Sequence, residues 1–128
     1  MSRKDKDFPP PLHELENEVM EELWARGEAT AVRDVLEALN ARSRERAYTT
    51  VLTIMQRLDD KGLLVRERRG KTDYYEPVLT REAYREARAE AQVSALVDEF
   101  GDVALAHFSR QVSALDPAKA RALRRLAR

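Results

Sequence analysis

The 128-residue sequence lacks cysteine, and it contains only two histidines, four glycines and five prolines. Without cysteine, disulfide scaffolds, thiolate nucleophiles and cysteine-based zinc or iron–sulfur sites are excluded. The two histidines, His13 and His107, lie far apart in the sequence and belong to no H-E-x-x-H motif, so we expect neither a metal nor a cofactor. An all-β sandwich or barrel is disfavoured because its many tight turns need more glycine and proline.

Long apolar runs are also missing. A helix needs about 20 consecutive, mostly apolar residues to span a bilayer, and the apolar runs here are only a few residues long. The first residues, MSRKDKDFPPP, are charged and lack the apolar segment of a secretion signal. We therefore expect a cytoplasmic protein that does not bind membranes, with a disordered arm over residues 1–11.

The charge is balanced overall, with 23 basic and 23 acidic residues, but it is unevenly distributed. Residues 13–37 contain eight acidic and two basic residues, whereas residues 42–71 contain nine basic and four acidic residues. This division allows one face to bind a polyanion while the opposite face repels it. The alternative interpretation is two solvated helix faces that differ in sign.

Apolar residues recur at helical spacing over residues 12–26, 30–40 and 47–61. Gly27 and Gly62 are expected to end the first and third helices, and Thr30 to cap the second. Residues 63–69 and 72–78 are rich in β-formers and are joined by Gly70 and Lys71, which predicts a hairpin. Three helices and a two-stranded wing predict a winged helix-turn-helix domain over residues 12–79.

Three more helices are predicted in the remainder of the chain. Thr80 can cap the first, Gly101 ends it after Phe100, a second covers about residues 103–112, and Asp116 with Pro117 begins the last. Single cores below about 70 residues rarely supply enough stability alone. We therefore expect residues 80–128 to form a helical dimerisation region, in a fold that is mainly α with a small antiparallel β wing.

The third predicted helix has an outer face of hydroxyls and arginines, with no acidic residue between Arg46 and Leu58. Hydroxyls can donate to phosphate oxygens, threonine methyls can contact thymine methyls, and arginine can bind guanine or phosphate in a bidentate manner. The alternative is that Thr49 caps the helix and Thr53 is neutral filler. The members of this face are Arg46, Thr49, Thr50, Thr53, Gln56 and Arg57.

The predicted hairpin is basic around its turn. Such a tip can lie along the phosphate backbone of a nucleic acid, where bound counterions are released. Alternatively, the charges protect the strand edges from pairing with another chain. The basic residues are Arg66, Arg68, Arg69 and Lys71. Of the neighbouring pair Tyr74 and Tyr75, alternation predicts that one packs into the core.

Four segments of the sequence resemble the penicillinase-repressor (BlaI/MecI/CopY) family, and the resemblance covers about residue 12 to the end. They are LENEVMEELW at residues 15–24, AYTTVLTIMQRL at 47–58, KGLL at 61–64 and YYEP at 74–77. The resemblance implies a transcriptional repressor that binds palindromic operators in double-stranded DNA as a homodimer. It also implies that the third helix enters the major groove and that the wing contacts the backbone.

Matched to this sequence, the resemblance implies two sets of contact residues. The DNA-binding set combines the third helix with the basic wing: Arg46, Tyr48, Thr49, Thr50, Thr53, Arg57, Arg68, Arg69 and Lys71. The dimer set lies in the C-terminal helices: Leu96, Val97, Phe100, Leu105, Phe108, Leu123 and Leu126.

The sequence departs from the family pattern in two places. Copper-responsive members carry paired C-x-C ligands, and the absence of cysteine excludes that route. Members controlled by a sensor protease are cleaved at an Asn-Phe bond, where this chain has His107 and Phe108. Cleavage of this bond by such a protease is therefore one hypothesis, and an ordinary helix-surface or interface histidine is the other.

Two further classes of function are alternatives to DNA binding. A winged helix can also serve as a protein-interaction module that docks an acidic partner without DNA. An enzyme is not expected, because the sequence shows no nucleophile–base set, phosphate loop or carboxylate pair with the character of a site.

Overall fold

The structure is a computed structural model that describes residues 9–127, so residues 1–8 of the expected arm lie outside the described residues. The fold class is confirmed: the described chain is mainly helical and contains one small antiparallel sheet. The elements, in chain order, are α1 (Glu14–Arg26), β1 (Thr30–Ala31), α2 (Val32–Arg42), α3 (Tyr48–Asp60), β2 (Leu64–Arg69), β3 (Thr72–Pro77), α4 (Arg81–Phe100), α5 (Asp102–Ser113) and α6 (Pro117–Leu126).

The predicted ends of several helices are confirmed. Gly27 follows α1 at φ 67°, in the left-handed region that favours glycine, and its amide donates to the Leu23 carbonyl at 3.1 Å. The Thr80 hydroxyl accepts the Ala83 amide at 3.0 Å, and the Asp116 carboxylate accepts the Lys119 amide at 2.8 Å. These caps satisfy amides that the first turns of α4 and α6 leave without helical partners.

The assignment of Thr30 as the cap of α2 is wrong, because Thr30 belongs to a third strand. Thr30 and Ala31 pair antiparallel with Tyr75 and Tyr74, which gives the sheet order β1-β3-β2. The cap position of α2 is Ala31, without a side-chain hydrogen bond, and the Thr30 hydroxyl donates to the Glu28 carbonyl. A two-residue strand is too short for the alternation that reveals a strand in sequence.

The core lies where α1, α2 and α3 meet the base of the hairpin. The predicted helical stripes supply it, and its most buried side chains are 0–1% exposed. These are Val19, Met20, Leu23, Val35, Leu39, Val51, Met55, Leu58 and Tyr75.

The hairpin formed by β2 and β3 extends away from this core. In β2 only Leu64 is buried, and Gly70 at the turn has φ 63°, as the tight connection requires. In β3, Tyr75 is buried and Tyr74 is half-buried, so the prediction that one of the two tyrosines packs into the core is confirmed.

The acidic residues of α1 bind basic residues of the other helices. The Glu16 carboxylate accepts Lys61 Nζ at 2.7 Å, directly after α3. Glu22 pairs with Arg42 at the end of α2 and with Arg26 on its own helix. The segments of opposite charge are therefore not kept on separate faces, as the sequence suggested, but partly neutralise each other.

The described chain divides into two compact units, and the first of them extends to Ala89. The domain boundaries expected from the sequence, 12–79 and 80–128, stay a prediction. The start of α4 belongs to the first unit because Tyr84 is buried there, with its ring centroid 5.5 Å from that of Trp24. The Tyr84 hydroxyl donates to the Pro10 carbonyl at 2.6 Å, and Arg88 donates to the Pro9 carbonyl at 3.1 Å. Pro9 and Pro10, which belong to the expected arm, are thus bound to α4.

The second unit contains the rest of α4 together with α5 and α6. Among its described residues only Ala104 is buried, while many of its large apolar side chains are exposed. The expectation that this region cannot bury a core by itself agrees with that exposure.

The ion pair between the buried Glu16 and the exposed Lys61 predicts a stability that depends on pH. Burial raises the pKa of Glu16, but hydrogen bonds from Lys61 and from the His13 amide outweigh it and hold the pKa below its ordinary value. Because the folded pKa is lowered, the stabilisation is present above the unfolded pKa of about 4.3 and is lost as the pH falls through the folded pKa.

Glu16→Gln should therefore lower the free energy of unfolding by about 1–3 kcal/mol at pH 7. The difference from wild type should shrink in acid, where Glu16 of the wild type is protonated in both the folded and the unfolded state. Urea denaturation at pH 7 and at acidic pH measures this difference. Glu37→Gln, an exposed residue on α2, is the matched control. An undiminished difference in acid would show that the ion pair is not its cause.

Candidate nucleic-acid interface

Helix α3 has one buried and one exposed face. Val51, Met55 and Leu58 are 0% exposed, and Ile54 packs partly buried against them. With 3.6 residues per turn, the intervening positions point away from the core. The predicted outer residues Thr49, Thr50, Thr53, Gln56 and Arg57 are all exposed, and Tyr48 is 45% exposed.

The exposed face carries short hydroxyl side chains and a cation. Acidic residues appear on α3 only at its end, at Asp59 and Asp60. The cap position is Ala47, so capping does not account for Thr49. The backbone of this helix can approach a ligand closely because most side chains on its outer face are short.

The wing presents its arginines already paired with acids of the same hairpin. Arg68 lies 3.5 Å from the Asp73 carboxylate and Arg66 lies 4.0 Å from it. Arg69 pairs with Glu67 at 3.2 Å. The hydrogen bond from Arg69 lowers the pKa of Glu67 and raises that of Arg69. The arginines and Glu67 are exposed and Asp73 is half-buried, so solvent screens the pairs and a stronger anion can displace the acids.

The Arg69 guanidinium also lies over the Tyr74 ring, 4.7 Å from the centroid. Lys71, at the turn, is exposed and has no ion pair within residues 9–127. Its charge is therefore the most available one on the wing.

A cleft connects the wing to α3. It is lined by Tyr48 and Gln56 of α3, by Lys71 and Thr72 of the wing, and by Arg33 in the first turn of α2. Sequence reasoning missed Arg33, because only the pairing of Ala31 with Tyr74 brings the start of α2 beside the hairpin. Recognising the β1 strand would have placed Arg33 here, but a two-residue strand leaves no pattern in the sequence.

Arg46 does not belong to the exposed face, and its assignment there is wrong. Its side chain is only 10% exposed, and its Nη2 donates to the Glu18 carboxylate at 2.9 Å. The residue precedes α3 and lies in the turn that follows α2, where it packs toward α1. The prediction applied helical spacing to Arg46, but α3 begins only at Tyr48, so this spacing does not hold at Arg46.

The chain is similar to known proteins over most of its length. The family model for penicillinase repressors matches residues 12–128. The chain belongs to the penicillinase repressor family. The transcriptional regulator BlaI of Mycobacterium tuberculosis, from strains CDC 1551 / Oshkosh and ATCC 25618 / H37Rv, is 43% identical over 107 residues. That match covers 80% of this chain and 75% of the relative.

Solved structures of BlaI are also similar to this chain. The solution structure of the DNA-binding domain of the repressor BlaI matches with a TM-score of 0.52 and 26% identity, over 59% of this chain and 90% of that one. Monomeric Bacillus licheniformis BlaI in complex with the blaP half-operator gives a TM-score of 0.49 at the same identity and coverage.

The second unit of this penicillinase repressor exposes most of the residues assigned to the dimer set. Leu96, Phe100, Leu105, Leu123 and Leu126 are 38–84% exposed, and Val97 and Phe108 are half-buried. An apolar pocket within the unit is lined by Leu96, Phe100, Val103, Ala104, His107 and Phe108.

The bond between His107 and Phe108 lies in the middle of α5. His107 is exposed, and Arg110 Nη2 lies 3.3 Å from its ring nitrogens. A protease would need α5 to open locally before it could bind this segment in an extended form.

No group of three or more histidine, cysteine, aspartate or glutamate side chains within residues 9–127 could hold a metal ion. In the same part of the chain, no helix has the length and apolar character to cross a membrane.

Proposed function

We propose that this chain is a transcriptional repressor that binds double-stranded operator DNA through α3 and the wing. The observation that carries the proposal is the division of α3: its apolar face is buried, and its hydroxyl and guanidinium face is uncovered. The similarity to the DNA-binding domain of the repressor BlaI supports it. The proposal places the chain in the cytoplasm and assigns no catalytic step to it.

The residues of α3 take the role of reading bases. A major groove about 12 Å wide admits an α-helix. Thr49, Thr50 and Thr53 offer hydroxyls and methyls to base edges and phosphates, and Arg57 offers a bidentate donor. Tyr48 lies at the start of the helix, beside the cleft that leads to the wing.

In this proposal the wing contacts the phosphate backbone of the DNA. Lys71 can bind phosphate without giving up a partner, whereas Arg68 and Arg69 must exchange Asp73 and Glu67 for phosphate. Because these exposed pairs contribute little, the exchange costs little. The adjacent Arg33 extends this basic rim from the start of α2.

A homodimer on a palindromic operator completes the proposal. The exposed leucines of the second unit, together with Phe100, form the surface that a second copy of the chain would bury. Two-fold symmetry would then place the half-sites about one helical turn, roughly 10 bp, apart or at multiples of that spacing. Relief of repression by a sensor protease at His107 and Phe108 stays a hypothesis within this proposal.

Salt-dependent binding tests the function. Wild-type protein should bind a labelled duplex from upstream of its own gene, with an affinity that falls linearly on a log–log plot as salt rises. Lys71→Ala should reduce the slope by about 0.9, the value for one phosphate contact. Glu37→Ala, on the exposed side of α2, is the control.

Two outcomes would contradict the function. Absent binding, or an affinity that does not depend on salt, would exclude a DNA-binding repressor. A stable complex with an acidic protein and no footprint on DNA would favour the interaction module instead.

Sedimentation tests the dimer. At micromolar concentration the wild type should sediment as a dimer, and Leu105→Asp should sediment as a monomer, because an unpaired carboxylate would be buried in the interface. Leu105 is 51% exposed, so the substitution need not unfold the chain. Gln111→Asp, also exposed on α5, controls for the low helix propensity of aspartate. A monomeric wild type would contradict the assignment of the second unit.

A further inference from the structure

We propose that Glu18 and Arg46 are positioning residues that orient α3 for DNA without contacting DNA themselves. This inference rests on the proposed function, since it names residues on which the same DNA-binding surface depends. It also replaces the role of direct DNA contact that the sequence suggested for Arg46.

Glu18 on α1 holds both ends of the turn between α2 and α3. Its Oε1 accepts the Ser43 hydroxyl at 3.0 Å, and its Oε2 accepts Arg46 Nη2 at 2.9 Å. Ser43 directly follows α2, and Arg46 lies two residues before the first residue of α3. One carboxylate therefore fixes where the turn begins and where it ends.

Asn40 closes the same turn from the side of α2. Its Oδ1 accepts the Arg46 amide at 2.8 Å, and its Nδ2 donates to the Arg46 carbonyl at 3.2 Å. Both the backbone and the side chain of Arg46 are thus held. The next residue, Ala47, provides the carbonyl that accepts the Thr50 and Val51 amides in the first turn of α3.

The burial of Arg46 separates positioning from contact. Its side chain is 10% exposed, whereas Arg44 in the same turn is an exposed residue. A guanidinium bound to Glu18 in this way is not free to reach a phosphate. Its effect on DNA binding must therefore pass through the direction and rigidity of α3.

The ion pair of Glu18 and Arg46 also leaves hydrogen-bond donors without partners, so it is not expected to add much stability. Arg46 Nε and Nη1 are buried and have no hydrogen-bond partner in the part of the chain that the structure describes. Buried donors without partners destabilise a fold, and apolar residues of similar size often replace a buried ion pair without loss of stability. The specific geometry of the turn is what an apolar pair could not reproduce.

The charge of Glu18 persists at neutral pH. Burial raises its pKa, but hydrogen bonds from Arg46 and Ser43 outweigh burial and hold the pKa below its ordinary value. The nearby charge of Arg44 acts in the same direction. The turn is therefore held by an ionised carboxylate under conditions in which DNA is bound.

Three variants of the full chain test the proposal on the same labelled upstream duplex. Glu18→Gln and Arg46→Met should each weaken binding on the order of tenfold, a typical size for coupled residues. Neither should change the salt slope, because no phosphate contact is lost. The double variant Glu18→Leu, Arg46→Met should unfold at or above the wild-type temperature and still bind weakly. Glu37→Gln is the matched control.

Three results in these assays would overturn the proposal. A slope reduced by about 0.9 in Arg46→Met would mean that Arg46 contacts a phosphate. Unchanged affinity would mean that the pair does not position α3. Tighter binding by Glu18→Gln would mean that Glu18 restrains Arg46 from DNA. If either single variant fails to fold, the double variant decides between positioning and a merely structural role.

Hydrogen exchange without DNA separates this proposal from the proposed function. The Thr50 and Val51 amides should exchange faster in Glu18→Gln than in wild type, while core amides of α1 keep their protection. Unchanged exchange at the start of α3 would overturn the positioning role even if the wild type binds DNA. Failure of the wild type to bind DNA would overturn the function and leave the exchange result standing.

Discussion

Carboxylates of α1 bind basic groups at both ends of α3, and the presentation of the outer face of α3 depends on that attachment. Glu18 binds Arg46 before the helix, and Glu16 binds Lys61 after it. Between these points the apolar stripe of α3 packs on the core. With both ends and one face held, the threonines and Arg57 can only face outward. The proposed groove contact follows from this constraint.

The sequence predicted the parts of the fold that are repeated over many residues or require a special backbone. The stripes of α1, α2 and α3 follow the helical period, and Gly27 and Gly70 have the positive φ expected of them. The outer face of α3 was also predictable, because a buried stripe fixes which positions remain exposed. Contacts between residues that are distant in the sequence could not be predicted from it.

Two errors have that origin. Thr30 was assigned to a helix cap because threonine commonly caps helices, but its partner Tyr75 is distant in sequence and makes it a strand residue. Helical spacing carried back past the start of α3 places Arg46 on the exposed face, but Glu18 on α1 turns its side chain inward. The ion pair of Glu18 with Arg46, like those of Glu16 with Lys61 and Glu22 with Arg42, joins acidic and basic segments that look separate in sequence and partly neutralises them in the fold.

The most direct test of the central claim, that α3 lies in the major groove, is chemical interference with dimethyl sulfate. This reagent methylates guanine N7, in the major groove, and adenine N3, in the minor groove, so one experiment compares both grooves. The account predicts that N7 methylation at guanines within the bound region of the upstream duplex blocks binding. Binding that tolerates N7 methylation throughout that region, but is blocked by methylation at adenine N3, would contradict it.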